Sequence, residues 1–278
     1  MKVLITGANG MLGQDLTVEL NGSFEICTRD IADYDICDKE KVFLDLKKIK
    51  PDFVVNCAAY TNVDGCESER DLAFSVNSDG VKNIALACKE TGSVLYHIST
   101  DFVFDGNKGE SYVETDDANP LSVYGQSKLG GERHIQAILT RYVIIRTSWL
   151  FGKGGNSFVA TIIKLSEENK EIRVVNDQTG CPTYTVDLAK AIKALLLIPA
   201  QGIYHVCNAG MCTWYEFAVK IIDLLGRKIR VIPITSQQLA RPAVRPSYSV
   251  MDCRKIISEA GFHPRPWEHA LKEYLISA

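Results

Sequence analysis

The chain has 278 residues, with 31 Lys and Arg against 34 Asp and Glu and a formal net charge of −3. This balance leaves no basic surplus to neutralise a phosphate backbone, so it argues against a nucleic-acid partner. The hydrophobic fraction of 46% is typical of a folded chain and excludes disordered, collagen-like and coiled-coil classes. The most apolar stretch, residues 189–200, carries two lysines and is shorter than the roughly 20 apolar residues that a membrane span needs.

The cysteines and the N-terminus predict the compartment. Nine cysteines are scattered without a Cys-x-x-Cys pair or zinc-type spacing. His205 and Cys207 are neighbours on one predicted strand face, but two ligands do not make a metal site, so we predict no metal. Gly7 interrupts the first apolar run too early for a secretory signal. The thiols are therefore expected to be reduced, in a cytoplasmic protein without a membrane partner.

The first half of the chain alternates short apolar runs with helical patterns. The predicted strands are 2–6, 24–28, 52–56, 94–99 and 142–147, and the predicted helices are 11–20, 39–49, 69–90 and 124–140. Strands with so few charges are typical of a parallel sheet that helices cover on both faces. The pattern predicts an α/β fold with a doubly wound parallel sheet of the Rossmann type.

The second half predicts a smaller α/β unit. A Gly-rich loop after Trp149 is followed by helices at 158–169, 186–197 and 214–225 and by strands at 172–175, 203–206 and 229–233. A polar segment, 235–246, reads as a long loop before two short C-terminal helices. We predict a dinucleotide-binding domain over 1–150 and a C-terminal substrate-binding domain over 151–278, with a soft boundary that segments can cross.

A glycine pattern lies between the first strand and the first helix. Gly7, Gly10 and Gly13 are spaced as a dinucleotide fingerprint, in which glycines allow a tight turn, approach of a pyrophosphate, and helix packing. About 20 residues further on, this fingerprint requires an acidic residue, and Arg29 and Asp30 stand there. Asp30 suits a ribose 2′-hydroxyl and Arg29 suits a 2′-phosphate, so both NADH and NADPH remain open.

Small residues end the third strand, where Ala58 and Ala59 would let a flat cofactor pass close to the backbone.

Tyr124 and Lys128 are four residues apart at the start of a predicted helix, so their side chains share one face. A phenol has a pKa near 10, and a neighbouring ammonium lowers it towards the range of a general acid. Thr100 ends the fourth strand, where open α/β sheets bind ligands.

Longer motifs carry a resemblance. GANGMLG and YGQSK resemble the extended short-chain dehydrogenase/reductase superfamily. NCAAYTNVDGCE, STDFVFDG, NPLSVYGQSKLGGE, RTSWLFG, NDQTGCPT and RPAVRPSYSV follow in the order of the dTDP-4-dehydrorhamnose reductase family, over almost the whole chain.

The resemblance implies site residues and chemistry. It implies a catalytic triad of Thr100, Tyr124 and Lys128, with Lys128 also holding the cofactor ribose, and substrate contacts from Thr100, Asp101 and Trp149. The positions that it implies for cofactor contact are Gly10, Met11, Leu12, Asp30, Asp35, Ile36, Ala59, Tyr60 and Thr61. The implied reaction is hydride delivery from NADPH or NADH to C4 of a dTDP-4-keto-6-deoxy-L-hexose, with Thr100 stabilising the alkoxide and Tyr124 protonating it. The partner is then a nucleotide-sugar substrate, and a homodimer remains open.

Alternatives also remain. The chain could act on another nucleotide sugar as a reductase or epimerase. A dehydratase usually has Asp-Glu after its active-site threonine, whereas Asp101-Phe102 follow Thr100 here. The family also includes a non-catalytic regulatory subunit of methionine adenosyltransferase, which an intact triad disfavours. Roles for Arg241, Arg245 and residues 177–183 stay open.

Overall fold

The structure, a computed structural model, describes residues 1–32 and 34–277. The elements in chain order are β1 (Lys2–Thr6), α1 (Met11–Leu20), β2 (Glu25–Arg29), α2 (Lys39–Ile49), β3 (Phe53–Asn56), α3 (Val63–Ser68), α4 (Arg70–Phe74), a π-helical segment (Ser75–Gly80), α5 (Val81–Thr91), β4 (Val94–Thr100), a 3₁₀ turn (Asp101–Val103), α6 (Val123–Ile138), β5 (Tyr142–Thr147), β6 (Leu150–Phe151), α7 (Phe158–Glu168), β7 (Glu171–Val175), β8 (Thr179–Gly180), β9 (Thr183–Tyr184), α8 (Thr185–Leu196), β10 (Gly202–His205), β11 (Cys212–Thr213), α9 (Trp214–Leu224), β12 (Arg230–Ile234), α10 (Ser236–Leu239), α11 (Arg254–Ala260) and α12 (Trp267–Ser277).

A six-stranded parallel sheet organises the larger lobe. Its order is β10-β5-β4-β3-β1-β2, and every neighbouring pair is parallel. Because side chains alternate along a strand, Val3 and Ile5 of β1 join a core with α1 and α8, whereas Leu4 joins a core with α2 and α5 on the opposite face. Both faces are thus covered by helices, and the predicted doubly wound α/β fold is confirmed.

The chain returns to this sheet after entering the second lobe. Strand β10 adds to the outer edge of β5, with Gly202 opposite Val143 and His205 opposite Arg146. Helix α8 packs through Leu188 into the same core as α1. The helix and strand that the sequence analysis placed after residue 150 therefore pack in the larger lobe. We propose that the dinucleotide lobe comprises 1–150 with 185–206, and that the remaining segments form the substrate lobe, apart from α11, which also packs on the sheet.

The smaller lobe is built on aromatic side chains. Strands β7 and β12 form a parallel pair, α7 and α9 pack against it, and α12 packs on α9. Phe151, Phe217, Trp267 and Tyr274 lie in its core, and the rings of Phe217 and Trp267 meet edge to face at 5.3 Å. The predicted loop at 235–246 contains the short helix α10, which begins with a capping box between Thr235 and Gln238.

The predicted helix over 69–90 is three segments, because a π-helical turn interrupts it between α4 and α5. This turn directs Asn77 inward, where it is fully buried. Asn77 accepts a hydrogen bond from the Tyr60 N–H at 2.9 Å and donates to the Tyr60 carbonyl at 3.0 Å. The interruption therefore fixes the loop after β3, which apolar periodicity does not report.

Three further observations concern ions, thiols and membranes. All nine cysteines are free thiols. Across residues 1–32 and 34–277, no cluster of three or more His, Cys, Asp or Glu side chains could hold a metal ion. Within the same residues, no helix has the length and apolarity to cross a membrane.

Candidate active site

The glycine turn between β1 and α1 is tightly constrained. Gly7 has a φ of +68°, and a Cβ atom on it would lie 2.6 Å from the Ala58 nitrogen. A Cβ atom on Gly13 would lie 2.4 Å from the Gly7 carbonyl oxygen. Gly10 is exposed and offers no side chain to cap the start of α1. This cradle, with N–H groups of a helix N-terminus directed outward, fits the pyrophosphate of a dinucleotide.

Asp30 and Arg29 differ in their partners at the end of β2. The Asp30 carboxylate accepts hydrogen bonds of 2.8 Å from the N–H groups of Asn9 and Ile31, so it lies beside the glycine turn. The Arg29 guanidinium forms a bidentate pair with Asp45, at 2.6 and 3.0 Å. A cofactor 2′-phosphate would therefore compete with Asp45 for Arg29.

Other predicted cofactor residues differ in exposure. The side chains of Leu12 and Ile36 are buried in the two cores, so only their backbone could contact a cofactor. Asp35 is exposed and accepts the Cys37 N–H at 2.9 Å. Met11 lies under the Gly-rich loop of the second lobe, where a Cβ atom on Gly155 would be 2.5 Å from its Cγ.

The segment after β3 lies across the turn from these residues. Ala58 contacts Gly7, as the close approach above shows, and Ala59 is half-buried. The backbone of Tyr60 is held by Asn77, and its hydroxyl donates to Glu69. Thr61 is exposed. The predicted residues Ala58–Thr61 thus form one border of the cradle.

Helix α6 brings Tyr124 to the end of β4. The helix is capped by Ser122, whose hydroxyl accepts the Gly125 N–H at 3.2 Å. A Cβ atom on Gly125 would lie 2.2 Å from the Phe102 carbonyl oxygen, so glycine is required where the helix meets the 3₁₀ turn. Tyr124 packs edge to face on Phe102 at 5.6 Å, and its phenol interacts with the Thr100 hydroxyl.

Lys128 is almost completely buried. Its Nζ donates to the Ile98 carbonyl at 2.6 Å and lies 3.3 Å from His97 Nε2. Burial lowers the pKa of Lys128 to about 8, although Glu132 and the Cys57 thiol act to raise it. Burial also raises the pKa of Tyr124, against a smaller lowering by Thr100. The predicted lowering of the Tyr124 pKa by the Lys128 ammonium is therefore not observed.

Asp101 orients the threonine hydroxyl. Its carboxylate is almost fully buried and accepts hydrogen bonds from Thr100 Oγ1 at 3.1 Å and from Ser249 Oγ at 2.6 Å. Burial raises the pKa of Asp101 to about 6, while these two hydroxyls oppose the increase. When Asp101 is ionised, the Thr100 hydroxyl hydrogen points to it, and an oxygen lone pair of Thr100 is left for Tyr124.

Two stacked indoles border a cleft between the lobes. Trp149 has a φ of +49°, a left-handed conformation that a non-glycine residue adopts only under strain. Its ring stacks on Trp214 with centroids 3.4 Å apart, and Trp214 Nε1 donates to Gln178 Oε1 at 3.2 Å. A Cβ atom on Gly180 would lie 2.5 Å from the Trp149 ring. Within residues 177–183, Gln178 thus accepts the hydrogen bond that holds the Trp214 ring, and Gly180 leaves the space that the Trp149 ring occupies.

The cleft has a volume of about 220 Å³ and also contains two arginines. Arg241 and Arg245 each lie 3.0 Å from a carboxylate oxygen of Asp64, on α3 of the dinucleotide lobe. Burial alone would raise the pKa of Asp64, but hydrogen bonds from Arg245 and the Ala243 N–H, with both guanidinium charges, lower it overall. These contacts join the two lobes at the mouth of the cleft.

Several buried polar residues escaped the sequence analysis. Glu132 of α6 forms a bidentate pair with Arg146 of β5, at 3.0 and 2.6 Å, and both side chains are buried. Asn56 ends β3 and His97 lies in the middle of β4, and both are fully buried. Arg146, Asn56 and His97 are each a polar residue within a strongly apolar strand. A polar residue in such a strand is the sequence signal that could have identified them.

Comparisons with known proteins agree with this geometry. The family model described as RmlD substrate binding domain matches residues 1–278. A dTDP-4-dehydrorhamnose reductase from Streptomyces griseus is 44% identical over 97% of this chain and 91% of its own length. A dTDP-4-keto-6-deoxy-D-glucose reductase from Streptomyces niveus is 38% identical over 97% of this chain and 95% of its length.

A solved structure is also similar. The dTDP-4-dehydrorhamnose reductase of Bacillus anthracis, in complex with NADP, superposes with a TM-score of 0.96 at 42% identity, covering 100% of this chain and 99% of that one. Both the sequence and the fold are thus shared over full length. The chain belongs to the dTDP-4-dehydrorhamnose reductase family.

Proposed function

We propose that this protein reduces the C4 keto group of dTDP-4-dehydro-6-deoxy-L-mannose to give dTDP-L-rhamnose, with NADPH or NADH as reductant. The observation that carries this proposal is the meeting of Thr100, Tyr124 and Lys128 at the carboxyl end of β4. They stand between the glycine cradle and the cleft of the two indoles. Family membership agrees with the same reaction.

The cradle residues bind the cofactor, which supplies the hydride when bound. The N-terminus of α1 would face the pyrophosphate at Gly10, and Asp30, which lies beside the turn, would be available to the adenosine ribose. Lys128 has donors beyond its bond to Ile98, and one of them would hold a ribose hydroxyl. Leu12 and Ile36 have buried side chains, so in this proposal they contact the cofactor only through their backbone atoms.

Tyr124 acts on the substrate oxygen. Its neutral phenol donates a proton to the developing alkoxide at C4, and burial keeps this phenol protonated up to high pH. Asp101 holds the Thr100 hydroxyl beside this phenol. These residues place the Tyr124 phenol, as the acid, at the substrate oxygen on C4, and the hydride comes from the cofactor.

The cleft would receive the nucleotide sugar. Trp149 offers an apolar wall to the hexose. Arg241 and Arg245 can present guanidinium groups to the diphosphate, because a guanidinium matches the geometry of phosphate oxygens. In this proposal the substrate takes over part of the bonding that Asp64 now provides.

A second candidate is the reduction of another nucleotide sugar. One relative of 38% identity is named for dTDP-4-keto-6-deoxy-D-glucose, which differs from the proposed substrate in its sugar. The catalytic residues act on the keto oxygen and do not themselves select the remaining substituents. The substrate therefore has to be assigned by direct comparison.

The test is to follow oxidation of NADPH and NADH by the purified protein with a panel of 4-keto nucleotide sugars. We expect the highest kcat/KM with dTDP-4-dehydro-6-deoxy-L-mannose and dTDP-L-rhamnose as the product by NMR. A higher kcat/KM with the D-glucose-derived sugar would move the assignment to the second candidate. Cofactor binding without turnover of any keto-sugar would instead support a regulatory subunit.

We further propose a cytoplasmic location and a homodimer. The nine free thiols suit a reducing compartment, and the net charge of −3 gives no basis for a nucleic-acid partner. Cell fractionation tests the location, and light scattering during gel filtration tests the dimer.

A further inference from the structure

A row of buried polar side chains crosses the sheet beneath the active site. Thr6, Asn56 and His97 occupy directly opposed positions on β1, β3 and β4. Thr6 Oγ1 donates to Asn56 Oδ1 at 2.6 Å, Asn56 Nδ2 lies 3.0 Å from His97 Nδ1, and His97 Nε2 lies 3.3 Å from Lys128 Nζ. All four side chains are at most 2% exposed. The row therefore ends on a residue of the proposed catalytic triad.

The backbone sets the direction of every hydrogen bond in this row. The Ala58 N–H, which can only donate, lies 3.2 Å from Asn56 Oδ1 and fixes that atom as the carbonyl oxygen. The Asn56 amide nitrogen therefore faces His97 and can only donate. His97 Nδ1 must be the unprotonated nitrogen that accepts this bond.

The protonated nitrogen of neutral His97 then faces Lys128. Burial and the Lys128 charge lower the pKa of His97 well below its usual value, so the ring carries one proton. With Nδ1 accepting, that proton is on Nε2. An ammonium at Lys128 would oppose this N–H with another donor, whereas a neutral amine can accept it through its lone pair.

We infer that His97 is a positioning residue whose tautomer, fixed by Asn56 and the Ala58 N–H, favours the neutral amine of Lys128 and makes this residue ready to release a proton. This inference rests on the proposed function only for the assignment of Lys128 to the catalytic triad. When Lys128 loses one proton to solvent, the contact between two donors becomes an N–H···N hydrogen bond from His97.

Other charges around Lys128 act in the opposite direction. Glu132, one turn further along α6, and the Cys57 thiol after β3 both raise the pKa of Lys128. The effect of Glu132 is shared with its partner Arg146 on β5. Burial lowers the pKa of Lys128, and the orientation of His97 adds to that lowering without requiring any charge.

Two asparagine variants separate this effect from a general charge effect. In Asn56→Asp, both oxygens accept, so His97 Nδ1 has to carry the proton and Nε2 can accept from the Lys128 ammonium. Asn77→Asp places the same change in another fully buried asparagine, which bonds to Ser127 rather than to His97. We expect the His97 tautomer to change in the first variant and to stay unchanged in the second.

The experiment uses the full chain labelled with ¹⁵N-histidine, with the His97 signals assigned from a His97→Gln difference spectrum. In the wild type, we expect Nδ1 to be the nitrogen without a proton and Nε2 to carry it. The opposite tautomer, or a doubly protonated ring near neutral pH, would overturn the inference. This measurement needs neither a folded Asn56 variant nor any enzymatic activity.

The second readout is the pH dependence of kcat and of the NADPH Kd. Burial lowers the pKa of Lys128 to about 8, and we expect the change in either parameter that follows this deprotonation to move to higher pH in Asn56→Asp, and to move further than in Asn77→Asp. An equal movement in both variants would show a charge effect only and refute the role of His97. If no keto-sugar is reduced, the proposed function fails, but the tautomer and the pH dependence of NADPH binding still decide this inference.

Discussion

The two lobes hold their functional side chains by different forces. In the dinucleotide lobe, Lys128 and Asn77 are buried and hydrogen-bonded to backbone groups of neighbouring elements. In the substrate lobe, Trp214 is held by ring stacking on Trp149, and Arg245 by a partly exposed ion pair. Hydrogen bonds are directional, whereas stacking and exposed ion pairs tolerate displacement.

This difference indicates how the molecule divides its tasks. The residues proposed to handle the proton have little positional freedom, because a small shift would leave buried polar groups unsatisfied. The residues proposed to contact the sugar can be substituted with a smaller penalty for folding. We therefore expect substitutions in the substrate lobe to alter selectivity and those beneath α6 to alter rate or stability.

The largest effect is expected from Tyr124→Phe. This change removes the proton donor and keeps the ring on Phe102, so kcat should fall by roughly 10²–10⁴-fold while the NADPH Kd stays constant. Tyr142→Phe, at the opposite end of the sheet, is the matched control and should retain full activity. A Tyr124→Phe protein with wild-type kcat would refute the assignment of the acid.

Glu132→Gln tests the rigidity of the dinucleotide lobe. It leaves the buried Arg146 without its counter-charge, so the free energy of unfolding should fall by about 3–5 kcal/mol. Glu90→Gln removes an exposed pair with Lys47 and should cost no more than about 1 kcal/mol. Urea titration of both variants measures the difference, and equal losses would contradict the contrast between buried and exposed pairs.

Gly180→Ala tests the substrate lobe. The added methyl group would displace the Trp149 ring, which lies 2.5 Å from that position. A misplacement of roughly 1 Å can cost up to about 10²-fold, so we expect kcat/KM for the nucleotide sugar to fall about 10- to 100-fold. The NADPH Kd serves as the internal control and should not change. Unaltered kcat/KM would remove Trp149 from the substrate site.

The smallest effect concerns cofactor choice. If Arg29 binds a 2′-phosphate, Arg29→Ala should raise the Kd of NADPH several-fold, by about 1 kcal/mol, and leave that of NADH unchanged. Asp45→Asn releases the same guanidinium and should tighten NADPH. Calorimetric titration of both cofactors distinguishes these outcomes, and equal losses for NADPH and NADH would show that Arg29 has only a structural role.

Sequence patterns predicted the first five strands and the glycine turn, because these depend on local runs of apolar residues and on backbone freedom. The four-residue spacing of Tyr124 and Lys128, and the position of Thr100 at the carboxyl end of a parallel strand, where such sheets bind ligands, pointed to one site, and the family resemblance implied the triad. These patterns could not show the row from Thr6 to Lys128, because its members are more than 30 residues apart in sequence. Nor could they assign β10 to the sheet, since its pattern suits either lobe.

The placement of β10 bears on how the chain acquires its shape during synthesis. A nascent chain that ends at residue 150 has β5 as an open edge, with backbone groups free to pair with another chain. The sheet is complete only after residues 202–205 emerge and pair with Val143 to Arg146. Between these two stages the ribosome adds β6 to β9 with helices α7 and α8, so the larger lobe is completed only after part of the smaller lobe has been synthesised. We therefore expect the proposed cofactor-binding lobe not to fold alone, and cutting the gene at residue 150 should yield an aggregating fragment rather than a small nucleotide-binding protein.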